Sequence, residues 1–200
     1  MSKRPHCCSS LTVACRILAS GNKKKRLCLD LSRKVNKHLK TEGVKLATLQ
    51  KSLRLLEKGD VQATYDLSSA YHHAKIHPDH RKFLGFAIPG PEGEEYYQFE
   101  CMPFGLATAT KCLACMTKPI CALLARNGKR HSLYIDDGKI NTPRHLIKAH
   151  LRFTLEALKN AGFIIAENKT DDEGSASSAK EYLGFKIDSE EMKVYALEEK

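Results

Sequence analysis

The stretch Ser132 to Ile140 reads SLYIDDGKI, a short apolar run that ends in two adjacent aspartates and a glycine. Neighbouring side chains of an extended strand point to opposite faces, so side-by-side carboxylates cannot share a face unless the chain turns there. Asp137-Gly138 supplies the turn signal, because a two-residue hairpin favours Asp-Gly where both central residues need positive φ. The fold must therefore accommodate an antiparallel hairpin with acids at its tip. A solvated turn meets that demand. So does a rigid pair of acids binding a divalent cation, and that reading needs a third acid elsewhere in the chain.

Asp66 is the candidate. It closes VQATYD, which reads as a short strand, and aspartate is depleted in strands. If the two strands are sheet neighbours, Asp66 and Asp136 converge with Asp137 beside them. Magnesium takes hard oxygen ligands, usually one or two carboxylates plus substrate phosphates. Two such ions about 3.5–4 Å apart serve both the attacking and the leaving oxygen in phosphoryl transfer. The charge balance suits a phosphate partner: 33 lysines and arginines stand against 23 acids, a net charge of +10. Such an excess favours nucleic acid over a membrane surface, although a solvated charged face fits it too.

The 200 residues, 42% of them hydrophobic, suffice for one moderate core or a small domain with an appendage. The eight cysteines do not read as a disulfide framework. Cys7 and Cys8 are adjacent, and Cys112, Cys115 and Cys121 fall in a helical segment. Arg16 interrupts LTVACRILA, the one N-terminal apolar run, and no stretch reaches the roughly 18 apolar residues of a membrane span. A reduced, intracellular protein is expected, in cytoplasm or nucleus, with no membrane partner.

Along the chain, residues 1–22 show no period and read as a poorly ordered leader. A basic run, KKKR, opens an alternating segment over 23–38. Leu46, Leu49, Leu53 and Leu56 predict a helix from Thr41 to Lys58, stopped by Gly59. Strands are expected at Val61 to Asp66, Phe83 to Ile88 and Glu95 to Phe99, the last two joined by PGPEGE. A turn at Met102 to Gly105 precedes a helix from about Thr108 to Arg126. After the acidic hairpin comes a helix from Pro143 to Asn160, carrying Leu146, His150, Phe153 and Leu158 and stopped by Gly162. A strand at Phe163 to Ala166 and a hairpin from EYLGFKID and MKVYAL complete the chain. This order suits an α+β fold of split βαββαβ, ferredoxin-like type, with helices on one face of the sheet.

YDLSSAYHHAKIHPDHRKFLGF, YYQFECMPFGLATAT, YIDD, LEALKNAGFIIAENKT and EYLGFKID follow one another in this order. Together they resemble the successive motifs of a retroelement reverse transcriptase over roughly residues 23–195. The AYHH and CMPFGLATA wording is most similar to tyrosine-recombinase (DIRS-like) retrotransposons. The resemblance implies an RNA-directed DNA polymerase that transfers dNTPs to a primer 3′-OH on an RNA or DNA template. It also implies a polymerase palm over 61–200 with a fingers insertion, and a partial fingers segment over 23–60.

By the same resemblance, Asp66, Asp136 and Asp137 hold two magnesium ions, with manganese able to take their place, and the backbone of Leu67 joins the metal site. Lys169 matches a catalytic lysine near the leaving pyrophosphate. Leu67, Ser68, Ser69 and Ala70 present backbone to the incoming triphosphate, and Arg26 matches a fingers contact to it. Tyr71 matches the aromatic beneath the sugar that blocks a 2′-hydroxyl, and Phe104 and Gly105 match the turn that packs on the nucleotide. Leu183, Gly184 and Phe185 match the primer grip.

Several positions depart from that pattern. Ser32 stands where a basic residue is usual, Thr110 where proline is, and Gly138 and Lys139 where aliphatic residues continue the strand, predicting a looser hairpin. Only 12 residues follow Asp188, too few for a helical thumb. A truncated, catalytically inactive nucleic-acid-binding domain of retroelement origin is thus the alternative reading. A zinc module built from His77, His80, Cys112 and Cys115 lacks the paired spacing of a finger or ribbon.

Overall fold

The computed structural model describes residues 4–17 and 23–197. In chain order the elements are β1 (Leu11–Ile17), β2 (Lys23–Leu29), α1 (Leu49–Leu53), β3 (Val61–Asp66), α2 (Pro78–Arg81), β4 (Gly85–Gly90) and β5 (Gly93–Gln98). There follow α3 (Ala109–Arg126), β6 (Arg130–Tyr134), β7 (Asp137–Thr142), α4 (Ile147–Asn160), β8 (Ala179–Tyr182), β9 (Phe185–Asp188) and β10 (Lys193–Ala196). They cluster into two units: Met1–Val44 with Tyr71–Leu113, and Lys45–Ala70 with Ala114–Lys200. Residues 45–60, expected to go with 23–44, thus group with the second unit.

The first unit is built on two hairpins. β1 pairs antiparallel with β2 from Leu11 opposite Leu29 to Ile17 opposite Lys23. The expectation of a poorly ordered leader is therefore corrected over Leu11–Ile17. LTVACRI is rich in β-formers, and β2 offers a partner of matched length. Residues 1–3 and 18–22 of that leader lie outside the described residues. β4 pairs with β5 from Gly85 opposite Gln98 to Gly90 opposite Gly93. Leu29, Leu31 and Leu84 are buried together, flanked by Leu11, Val35, Ile76, Phe86, Phe99 and Leu106.

The second unit carries a three-stranded antiparallel sheet in the order β3-β7-β6. Val61, Ala63 and Tyr65 are buried along β3. Tyr65 lies opposite Gly138 of β7, and a Cβ on Gly138 would stand 2.0 Å from the Tyr65 ring. Only glycine leaves room for that ring. Lys139, next in the strand, is fully buried; its Nζ donates to Gln62 Oε1 at 3.0 Å and lies 5.4 Å from the Tyr182 ring centre. The expected loosening of the hairpin is therefore corrected: both departures are packed into the sheet, and β7 stays paired through Thr142.

Helical expectations shift in detail. Between Thr41 and Lys58 only Leu49–Leu53 is α-helical, starting where Thr48 Oγ1 accepts the Lys51 N–H at 3.2 Å. No comparable cap precedes it, and Gly43 lowers propensity. The leucines still pack: Leu49, Leu53 and Leu56 meet Tyr182 and Ile187. A 3-10 turn over Arg144–Leu146 replaces the start of the helix expected from Pro143. The buried stripe of α4 is Ile147, Leu151, Thr154 and Leu158, one residue out of phase with the expected Leu146 and His150. Phe163 to Ala166 supplies only an isolated bridge, Ile165 to Leu67, before a 3-10 turn over Glu167–Lys169. Among the described residues no helix is long and apolar enough to cross a membrane.

Candidate functional site

Register places the acids. Asp66 ends β3 directly opposite Asp137, the first residue of β7. Directly opposed residues of an antiparallel pair project to the same face, so these two carboxylates share one. Because Tyr134 pairs with Asp137, the two-residue loop is Ile135-Asp136 and not Asp137-Gly138 as expected. The Leu67 N–H donates to the Asp136 carbonyl at 2.9 Å, tying that loop to the residue after Asp66.

The turn is strained. Ile135 has φ +57°, whereas Asp136 is not in the left-handed region. Positive φ at the first central residue alone is the pattern that normally takes glycine there. A β-branched residue in that conformation is an outlier that costs on the order of 1–3 kcal/mol. Beneath it, Tyr65 Oη lies 2.6 Å from His131 Nε2. The imidazole is enclosed although His131 keeps some exposure, and burial pushes its pKa down to about 4, so it is neutral near pH 7.

Lys169 reaches the acids from the 3-10 turn. Its Nζ lies 2.6 Å from Asp66 Oδ2, while the Ala166 N–H donates to the Asp66 carbonyl at 2.9 Å. The expected primer-grip residues form the β8–β9 turn, with Leu183 at φ +51° and Gly184 at φ +81°. That hairpin supports the acids from behind: Tyr182 Oη donates to the Asp137 carbonyl at 3.2 Å.

Among the described residues, no three histidine, cysteine, aspartate or glutamate side chains stand together as a ready metal cluster. The structure thus pairs Asp66 with Asp137 and ties the Asp136 loop to Leu67, without gathering three carboxylates. This donor set still fits magnesium, which needs one or two carboxylates and takes its remaining oxygens from substrate and water. The zinc module that the spacing disfavoured gains no support: Cys112 and Cys115 are exposed on α3, and among the described residues His77 and His80 meet only each other and Asp79 as possible ligands.

Within the first unit, the residues expected at the nucleotide gather around Phe104. Tyr71 packs edge-on against Phe104 at 5.3 Å between ring centres, and the Arg26 guanidinium lies 5.5 Å from the same ring. Thr110, where proline was usual, forms a hydrogen bond with the Tyr71 hydroxyl at 3.0 Å. The Leu29 N–H donates to the Phe104 carbonyl at 3.0 Å. Gly105 sits at φ +104°, and a Cβ there would fall 2.1 Å from the Leu29 carbonyl oxygen.

Asn36 escaped sequence reasoning. Its Nδ2 donates to the Gly105 carbonyl at 2.9 Å and its Oδ1 accepts the Ala107 N–H at 3.0 Å, so one side chain clamps the turn. No periodicity marks such a residue. Ser32 is also accounted for: its N–H and hydroxyl both donate to Asp30 Oδ1, and these bonds lower the Asp30 pKa. Ser68, Ser69 and Ala70 continue from Leu67 in the second unit, where the Ser68 N–H donates to the Ile164 carbonyl at 2.8 Å and Ser69 adopts φ +50°.

The model of the family described as reverse transcriptase (RNA-dependent DNA polymerase) matches residues 2–187. The chain belongs to the reverse transcriptase family. The match takes in residues 2–22 of the expected leader. A solved foamy viral protease-reverse transcriptase in complex with dsDNA superposes with TM-score 0.71 at 24% identity, over 94% of this chain and 36% of its own. A foamy viral protease-reverse transcriptase dRH with ds DNA gives TM-score 0.66 at 24% identity, over 90% of this chain and 29% of its own. At that identity the likeness shows the fold, a palm-like α+β architecture. The chain spans about a third of the length of these solved proteins.

Proposed function

We propose that this reverse transcriptase domain is an RNA-directed DNA polymerase that adds deoxynucleotides to a primer 3′-OH by two-metal nucleotidyl transfer. One observation carries the reading: Asp66 and Asp137 are cross-strand partners beside a strained, tethered loop that bears Asp136. In the reaction the primer 3′-oxygen bonds to the α-phosphorus, the bond to the β-phosphate breaks, and pyrophosphate leaves. Magnesium bound at Asp66, Asp136, Asp137 and the Leu67 backbone would polarise the attacking and leaving oxygens.

Each remaining residue has a role in this reading. Backbone from Leu67 to Ala70 faces the triphosphate, Arg26 pairs with its charge, and Lys169 serves the departing pyrophosphate. Tyr71, held by Phe104 and Thr110, lies under the sugar, while Gly105 lets its turn pack close to the nucleotide. Leu183, Gly184 and Phe185 hold the primer end. The net charge of +10 supports an RNA or DNA template-primer as the partner. Eight free thiols support a reducing intracellular compartment, and the AYHH and CMPFGLATA wording supports a DIRS-like retrotransposon origin.

Magnesium-dependent extension of oligo(dT) on poly(rA) by the full chain tests the proposal. Extension that disappears in Asp136→Asn supports it. Salt-sensitive template binding with no extension would favour the inactive nucleic-acid-binding domain.

A further inference from the structure

We propose that Lys169 is a built-in counter-ion that competes with divalent metal for Asp66, so that metal entry and release of the lysine ammonium are one coupled event. This rests on the reading of Asp66 as a metal-binding carboxylate, and it concerns what fills that position before metal arrives.

The Asp66 carboxylate meets the Lys169 ammonium at 2.6 Å, a charge-assisted contact that occupies the oxygen a metal would use. Magnesium binds carboxylate oxygen at 2.0–2.1 Å, so ammonium and metal cannot share Oδ2 at those distances, and their like charges repel. The base of the lysine is fixed. The Ala166 N–H bonds to the Asp66 carbonyl, and the Lys169 N–H bonds back to Ala166 at 3.0 Å. Its tip is not enclosed: the Lys169 side chain is 44% exposed, against 14% for Asp66. A flexible four-carbon stem on a fixed turn can swing its ammonium away while the backbone stays.

A second pair in the unit shows the contrast. Asp171 Oδ1 meets Lys180 Nζ at 2.6 Å, while its Oδ2 accepts the Thr64 N–H and hydroxyl at 2.7 and 2.9 Å. That carboxylate is committed to holding β3. Asp66 has Lys169 as its side-chain partner among the described residues, and exchanging that partner for metal disturbs no backbone bond. The lysine that neutralises Asp66 ahead of metal is thereby delivered, on metal entry, as a free cation for substrate phosphate.

Mn²⁺ titration of the full chain, read by electron paramagnetic resonance, tests this without turnover. Lys169→Met should bind Mn²⁺ roughly two- to five-fold more tightly than wild type, as loss of a half-exposed competing pair allows. Lys148→Met makes the same charge change at a lysine paired with Glu173, and should leave the affinity unchanged. In the unmutated protein, saturating Mn²⁺ should raise the acetylation rate of Lys169, but not of Lys180, by N-hydroxysuccinimidyl acetate. Equal affinities for the two variants, or Lys169 labelling that ignores metal, would overturn the proposal. Absence of Mn²⁺ binding in every form would remove the metal site itself and the proposal with it. Wild-type binding unaltered in Lys169→Met would sink the counter-ion alone.

Discussion

The second unit holds two hairpins closed by two-residue loops, and they solve the same turn differently. The β8–β9 loop puts both central residues, Leu183 and Gly184, at positive φ, and glycine takes the second position at little cost. The β6–β7 loop puts a β-branched isoleucine at φ +57° and follows it with an aspartate. The supporting hairpin uses permissive turn chemistry where it can. The acid-bearing hairpin accepts strain at its tip and is held from both sides, by the Leu67 N–H bond to Asp136 and by the Tyr182 hydroxyl on the Asp137 carbonyl. Strain persists where surrounding structure over-determines the backbone, and here it sits beside the proposed metal ligands.

The largest expected effect comes from removing what locks the acidic hairpin. Gly138→Ala drives a methyl into the Tyr65 ring, 2.0 Å away, with neither strand free to retreat. Overpacking a filled core typically costs about 1–3 kcal/mol, and this contact belongs at the upper end. Urea unfolding monitored by circular dichroism should show the loss as a lower midpoint. Gly184→Ala adds its methyl to open space at φ +81°, so it meets only backbone strain and should cost about 1 kcal/mol. Equal losses at the two glycines would erase the contrast between the hairpins.

A pH dependence sharpens it further. His131, against Tyr65 behind the acidic strands, has its pKa pushed down to about 4 by burial from an ordinary 6.5. Between those values the unfolded chain binds a proton that the folded chain refuses, so stability falls as pH drops from 6.5 towards 4. Each pH unit between those values removes up to roughly 1.4 kcal/mol. His131→Phe should flatten this part of the stability–pH curve. An unchanged slope in that variant would place the acid sensitivity elsewhere.

Much of this was legible in the sequence. Asp66 and YIDD gave strand and hairpin, because strand period and turn chemistry are local signals, but the acid expected to meet Asp66 was Asp136, whereas the register sets Asp137 opposite it. What failed was non-local. Tyr65 decides why Gly138 belongs where an aliphatic was expected, and Gln62 with Tyr182 decides why Lys139 is tolerated in the sheet. Asn36 acts across 69 residues on Gly105, a distance over which no periodicity speaks. The leader failed for a related reason: β1 is a strand because β2 pairs with it, and pairing is not written in either segment alone. The loop frame slipped by two residues because Asp-Gly is a strong turn pair, but the Tyr65–Gly138 contact keeps Gly138 inside the strand.

The smallest expected effect isolates strain from support. Ile135→Gly and Leu183→Asn each give a turn the residue type its φ favours. Relief of left-handed strain is worth about 1–2 kcal/mol, but glycine also widens the unfolded ensemble, and Leu183→Asn gives up the leucine's packing against Leu56 and Tyr182. Each variant should therefore stay within about 1 kcal/mol of wild type in denaturant midpoint. Metal binding should separate them. Asp136 follows Ile135 directly, so a freer φ at residue 135 broadens the directions its carboxylate samples, and Mn²⁺ affinity should fall in Ile135→Gly. Leu183→Asn leaves the Asp136 loop and its Leu67 tether untouched and should bind Mn²⁺ as wild type does. If Ile135→Gly stabilises the fold and binds Mn²⁺ just as tightly, the strained isoleucine does not aim the aspartate.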